Sequence, residues 1–544
     1  MSSHNTFVRG AAILAAAGVV VRLMGAALRI ILASPGLLGD QGIGLYQMAY
    51  PVFSTLLTIS TAGIPVAISK LIAENLALSN YRQAFRVFRI ALIILTLTGL
   101  VITLAMLGGA GYIAEVIIRQ PLAYNSLAAI APAIFFVTMM SVFRGYFQGR
   151  QRMLPTAISQ LVEQLGRVIA SLYLVITLLP RGLEFAAAGA SFGAVAGSVL
   201  GLAVLLIIYF WDRPRFKGQV SRRALPGAGF SKIVSQILRL AVPITLGSLI
   251  MQLFTLIDLG LVTRRLQVAG FTVDRATALY GQLTGMASSV IYFPNVVVIA
   301  LGVSLVPAIS EALARKNREL ITGRTDLAIK ITVLFSLPAA VGLYILAAPI
   351  TVFLFTSEAV EAAAPLAALS WSVIALSLYI TSTNIMQGLG RPTIPVLNMV
   401  YGGAVKAILC WFLTANPVWN VVGAAVASLI GLAVAAIANL YYLTRLTGWK
   451  FNTMKLVIRP GIAVVVMAAA VHVAYRGFFP LAGYWLAPGP ANGVAVIGSI
   501  AVGLAIYGLA LLLSGSINRE ELNLVPILGG FLVKLTGRYN LLRK

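Results

Sequence analysis

The sequence predicts an all-α integral membrane protein of about fourteen transmembrane helices: two six-helix lobes repeated in parallel, then a C-terminal helix pair. Three observations predict it. First, 60 % of the 544 residues are hydrophobic and only 10 % charged, with a mean hydropathy of +0.95, outside the range of soluble globular domains. Second, apolar runs of about 20 residues recur along the chain, the length a helix needs to cross a hydrocarbon core of roughly 30 Å. The strand-period alternation of an outer-membrane barrel is missing. Third, the basic residues are sorted between alternate loops.

In chain order the apolar runs fall at roughly 9–33, 45–72, 87–110, 126–147, 155–179, 185–210, 237–263, 277–307, 328–354, 362–387, 393–414, 418–444, 457–475 and 492–514. With the N-terminus placed in the cytoplasm, the N-terminus, the even-to-odd loops and the tail hold 30 of the 40 lysines and arginines. The opposite loops hold 6, and 4 lie within helices: Arg22, Arg29, Arg167 and Lys406. This asymmetry puts both termini on the cytoplasmic side of the cell membrane. The net charge of +25 therefore reads as topology and contact with anionic membrane lipid, not as a nucleic-acid footprint. Arginines inside the first apolar run argue against a removed signal peptide.

Several function classes drop out. Cys410 is the single cysteine and His4 and His472 are far apart, so neither a disulfide framework nor a thiolate metal site can be built. No HExxH or Walker-type GxxxxGK pattern occurs, and Gly42-Ile43-Gly44 lacks the third glycine of a dinucleotide loop. No metal, cofactor or covalent chemistry is expected; a coupling cation, sodium or proton, is left open.

An internal repeat organises the helices. Tyr146-Phe147-Gln148-Gly149-Arg150-Gln151-Arg152-Met153-Leu154-Pro155-Thr156 echoes Ile385-Met386-Gln387-Gly388-Leu389-Gly390-Arg391-Pro392-Thr393, and Pro65-Val66-Ala67-Ile68-Ser69 echoes Pro307-Ala308-Ile309-Ser310, at nearly one offset. That offset spans six helices, an even number, so the halves have the same orientation in the membrane, as between the halves of some transporters. The expected divisions are an N-lobe over 1–210, a basic cytoplasmic linker at 211–235, a C-lobe over 236–445, and helices 13 and 14 with a cytoplasmic tail over 446–544. Gly63-Ile64-Pro65, Ala241-Val242-Pro243 and Val306-Pro307 are expected either to bend their helices for alternating access or simply to pack.

Charges inside the apolar runs mark the candidate site. Arg22 and Arg29 are seven residues apart, on one helix face with Gly18 and Gly25. A polar face of helix 5 carries Ser159, Gln160, Glu163, Gln164 and Arg167. Glu163 and Arg167 are spaced for an ion pair, so this face is either a self-neutralised packing element or a cavity wall. Helix 7 carries Ser248, Gln252, Thr255 and Asp258, with Arg264 and Arg265 near its end. Asp258 is a cation ligand, a partner for an arginine, or a packing residue. Lys406 lies near the repeat's counterpart of Arg167. If Arg22, Arg29, Glu163, Arg167, Asp258 and Lys406 all faced lipid, the cost would be roughly 15 to 20 kcal/mol, more than the stability of a typical fold. They are expected to line a wet interior, and four positive charges against two negative suit an anion such as pyrophosphate, phosphate or carboxylate.

Gly42-Ile43-Gly44-Leu45-Tyr46-Gln47, Ala62-Gly63-Ile64-Pro65-Val66-Ala67-Ile68-Ser69-Lys70, Arg144-Gly145-Tyr146-Phe147-Gln148-Gly149 and the run Pro155 to Gln164 resemble the stage V sporulation protein B and MurJ-like group of the multidrug/oligosaccharidyl-lipid/polysaccharide exporter superfamily. The resemblance covers nearly the whole chain and is most specific from Arg144 to Arg167. It implies a flippase, not an enzyme, that moves an undecaprenyl-pyrophosphate-linked precursor (lipid II) across the cytoplasmic membrane by alternating access, in peptidoglycan or spore cortex synthesis. Two lobes would surround a cationic cavity, with the extra helix pair near the lipid tail and cell-wall synthesis machinery as a partner. Family arginines on helix 1 carry over to Arg22 and Arg29. Three rivals stand beside it: a flippase for another lipid-linked polysaccharide unit, a cation-coupled drug exporter of the superfamily, and a non-transporting scaffold.

Overall fold

The computed structural model describes residues 2–220, 229–355 and 357–514. They form helices without a strand among the described residues. In order these are α1 (Ser2–Leu32), α2 (Gly39–Thr61), α3 (Ile64–Ala77), α4 (Tyr81–Tyr112), α5 (Ala123–Ile130), α6 (Pro132–Gly149), α7 (Leu154–Leu178), α8 (Leu183–Val220), α9 (Phe230–Val268), α10 (Val273–Gly281), α11 (Ser288–Ala314), α12 (Arg318–Ile345), α13 (Ala347–Phe355), α14 (Ala363–Ser370), α15 (Ser372–Gly388), α16 (Thr393–Leu413), α17 (Asn420–Thr447), α18 (Arg459–Gly483) and α19 (Pro488–Leu513). A π-helical turn, Gln282–Ala287, joins α10 to α11.

Ten described stretches are long and apolar enough to cross a bilayer, eleven counting the bent pair of Ala359–Ser370 and Ser372–Gly388. The helices α1 and α9 and the run α10–α11 also exceed the ~20 residues a crossing needs. The protein is a multi-pass membrane protein. The expected basic segment 211–235 lies partly outside the described residues: α8 continues to Val220 and α9 begins at Phe230, while 221–228 are not described. The tail beyond Ser514 also lies outside them.

Helix ends follow local chemistry. Asn80 and Asn317 cap α4 and α12 by accepting from the amides of Gln83 and Leu320 at 3.1 and 2.9 Å. Pro132 and Pro155 open α6 and α7, where a missing amide hydrogen costs nothing. The break between α2 and α3 falls at Gly63. Its amide donates to Thr245 Oγ1 at 3.2 Å, and a Cβ there would run into the backbone of Ala241. Of the three expected bending points only this one interrupts its helix; α9 and α11 run continuously through positions 243 and 307.

Contacts divide the chain into two compact units, Met1–Ser289 with Leu409–Ala424, and Val290–Ile408 with Ala425–Lys544. The division falls after Ser289 rather than in the basic segment 211–235, because α9 and α10 pack on α2 and α3. Glycines make that packing close: a Cβ on Gly44 would collide with the Thr277 carbonyl, and one on Gly281 with Asp40. Gln282 donates to Asp40 at 3.0 Å and Gln120 to Thr277 at 2.9 Å.

Within the first unit, Phe88, Phe143, Tyr146 and Tyr209 form an aromatic core, with centroid separations of 4.7 to 5.7 Å. Within the second, Asn398 donates to Asn439 at 2.8 Å, and Asn439 donates to Ser382 and Thr383. Gly402 lies against Gly431 and Ala435 beside this network. Buried amides thus satisfy one another across α15, α16 and α17, as a membrane interior requires.

The sequence repeat has the same role in each unit. Gly145 and Gly149 of α6 abut Pro65, Ile68, Ser69 and Ile72 of α3, and Gly388 of α15 abuts Val306 and Ile309 of α11. Ser310 Oγ donates to the Gly388 carbonyl at 3.0 Å. Each recurring glycine lets one helix touch the backbone of its neighbour.

Candidate functional site

The site is built on α7, and α8 is why it can be. Gly189, Gly193, Gly197 and Gly201 recur every four residues along α8, facing Leu174, Ser171, Arg167 and Glu163 of α7. Small residues at this spacing let two membrane helices approach backbone to backbone. A Cβ on Gly197 would meet the Glu163 carbonyl and the Arg167 side chain. The long side chains of α7 therefore run past α8 and reach α2 and α6.

Arg167 Nη2 donates to the Tyr46 hydroxyl at 3.1 Å, and its guanidinium carbon stands 5.4 Å from the centre of the Tyr50 ring. From α1, the Arg29 guanidinium carbon approaches the same ring to 5.4 Å. Tyr46 and Tyr50 are one turn apart on α2, and Tyr46 is 2 % exposed. Neither Arg29 nor Arg167 makes an ion pair among the described residues. Aromatic faces hold both cations by quadrupole attraction while leaving their donors unneutralised.

Glu163 takes a different partner from the one its spacing suggests. It pairs with Arg144 of α6 at 2.7 Å, and Arg144 Nε also donates to Ser159 Oγ at 3.0 Å. The expected Glu163–Arg167 pair is corrected: Arg167 swings toward α2, and the closeness of α6 gives Glu163 a fork-shaped donor held by a second residue of its own helix.

The remaining candidates fall elsewhere. Arg22 is exposed on α1 while Arg29 is half-buried, so the shared face does not bring the two to one place. Asp258 is half-buried on α9. Lys406, 2 % exposed, belongs to the second unit, on the α16 face that also carries Asn398 and Gly402. Cys410 is buried in the core, its sulfur 3.5 Å from Thr414 Oγ1. His472 is exposed on α18.

Sequence reasoning missed Arg144, Tyr46, Tyr50 and the buried Lys330 of α12. Arg144 sits inside α6, near its end; it also falls inside the apolar run 126–147, but so close to that run's end that it reads as one of the basic residues of the following loop. The signal for the tyrosines was their i, i+4 spacing on α2, opposite a helix with uncompensated arginines.

Long apolar helices, ten or more of them able to cross a bilayer among the described residues, define a multi-pass membrane protein. The chain belongs to the polysaccharide biosynthesis protein family, whose sequence model matches residues 7–313. It is 28 % identical over 537 residues to stage V sporulation protein B of Bacillus subtilis (strain 168), covering 98 % of this chain and 100 % of that protein. It is 24 % identical over 494 residues to the lipid II flippase MurJ of the same organism, covering 87 % and 89 %. Among solved structures, lipid II flippase MurJ in an inward closed conformation matches with a TM-score of 0.68 at 15 % identity, covering 91 % of this chain and 97 % of that one. Flippases and transporters are thus its homologues.

Proposed function

We propose that the protein is a flippase for an undecaprenyl-pyrophosphate-linked cell-wall precursor, lipid II, in the cytoplasmic membrane with both termini cytoplasmic. The observation that carries this is the convergence of Arg29 and Arg167 on Tyr50, neither of them in an ion pair among the described residues. Each guanidinium would take one phosphate of a pyrophosphate, whose oxygens accept forked hydrogen bonds. Aromatic rings preorganise them without neutralising them. Lys406 and Asp258 would be further cargo contacts, each within its own unit, and Arg22 would attract the anion at entry. No bond is made or broken: the pyrophosphate binds, the isoprenoid tail stays in lipid, and the lobes exchange access.

The pairing of Glu163 with Arg144 bears on the drug-exporter reading. A cation exporter needs an available carboxylate, and this one is neutralised by a neighbour at 2.7 Å. Complementation tests the proposal. In cells depleted of lipid II flippase, the wild-type chain restores growth, and Arg29→Ala and Arg167→Ala fail at equal protein level. Rescue by both variants, or failure of the wild type, rejects lipid II as the cargo.

A further inference from the structure

Next to the arginine pair lies a polar group that the anion does not use. Gln164 is 7 % exposed, its amide nitrogen is shut from solvent, and that nitrogen has no hydrogen-bond partner among the described residues. One turn earlier on α7, the amide oxygen of Gln160 is in the same condition. Facing Gln164 from α1 is Gly25, where even an added Cβ would stand 3.5 Å from Gln164 Nε2. Gly25 thus packs directly against the amide.

Unpartnered buried amides are rare in folded proteins and destabilise them, so one that persists calls for a ligand or a displaced contact. The position suggests which ligand. Gln164 is three residues before Arg167 on α7, and Gly25 is four before Arg29 on α1. The idle amides therefore continue the arginine site by one helical turn along the same α1–α7 seam. A pyrophosphate is common to every polyprenyl-linked unit, so arginines alone cannot tell one unit from another. Discrimination needs neutral donors and acceptors, and a site built to hydrogen-bond a hydroxyl or amide rejects a ligand lacking it more sharply than an apolar wall does.

We infer that Gln164, seconded by Gln160, is the headgroup-reading element of this site, receiving hydroxyl or amide groups of the first sugar attached to the pyrophosphate when α1 moves off α7. This rests on the reading of Arg29 and Arg167 as a pyrophosphate site. It adds a specificity determinant made of neutral groups, whose partners are absent until cargo arrives.

The full-length protein in detergent is titrated with undecaprenyl pyrophosphate and with lipid II, and the ratio of the two affinities is the readout. Wild type prefers lipid II by about tenfold or more, and Gln164→Met, which keeps volume and removes the amide, brings that ratio to within about threefold of parity. The Met variant melts at the wild-type temperature or above, because an unpartnered amide has been replaced by an apolar chain. Arg29→Ala weakens both ligands together. An unchanged ratio in Gln164→Met overturns the headgroup role while the pyrophosphate site stands. A lowered melting temperature with both ligands weakened equally makes Gln164 a packing residue and overturns it as well. If wild type binds neither ligand, both readings fall.

Discussion

Arg29 of α1 and Arg167 of α7 meet on one aromatic ring, each guanidinium carbon 5.4 Å from the centre of Tyr50. Two cations on separate helices repel unless something between them is attractive to both, and the electron-rich face of a tyrosine is that. The ring gives both guanidiniums a common attractive face.

Removing the ring loosens both cations. Each cation–π contact is worth about 0.5 to 2 kcal/mol, so Tyr50→Ala lowers affinity for undecaprenyl pyrophosphate by about tenfold or more. Tyr50→Phe keeps the face and stays within about threefold. Titration calorimetry in detergent checks both; equal loss in the two variants assigns the effect to the hydroxyl instead.

Arg22 and Arg29 separate functionally, although they share a helix face. Arg22 is exposed and Arg29 stacks on Tyr50, so Arg22→Ala weakens ligand binding less than Arg29→Ala does. The difference is read at low salt and again at high salt, where a long-range steering effect of Arg22 is screened. An equal, salt-independent loss in both variants contradicts the separation.

The Arg144–Glu163 pair is structural. Deleting either partner leaves a mostly buried charge alone and costs about 1 to 3 kcal/mol, whereas Arg144→Met with Glu163→Gln costs less than the sum of the two single changes. Thermal unfolding of the four proteins gives the coupling. Strict additivity would show that the two do not act as a pair.

Close packing of α7 on α8 sets the arginine's position. Gly197→Ala forces a methyl group against the Glu163 carbonyl and Arg167 and costs about 1 to 3 kcal/mol by overpacking. Gly18→Ala meets nothing within 4 Å and is neutral or stabilising by up to about 1 kcal/mol through helix propensity. Melting temperatures of the two variants, compared in one detergent, check the contrast.

The membrane class, the helix count and the internal repeat were legible in the sequence because a bilayer imposes length, apolarity and charge placement on every pass. Arg29, Arg167 and the polar face of α7 were legible for the same reason: a charge inside such a run is too costly to be incidental. What the sequence withheld was partnership. Glu163 looked bound to Arg167 at helical spacing, yet the glycine stripe of α8 brings α6 near enough for Arg144 to take the carboxylate. Tyr46 and Tyr50 read as ordinary apolar residues until α2 is seen beside α7. Spacing fixes neighbours on one helix, whereas these contacts join different helices and depend on tertiary packing.

Translocation of lipid II by the purified full-length chain in liposomes tests the central claim most directly, with labelled headgroup arrival on the far leaflet as the signal. The account predicts transport by wild type and a loss of about tenfold or more in both Arg29→Ala and Arg167→Ala, with folded protein recovered in equal amount. Wild-type rates in the Arg29→Ala/Arg167→Ala double variant would contradict it.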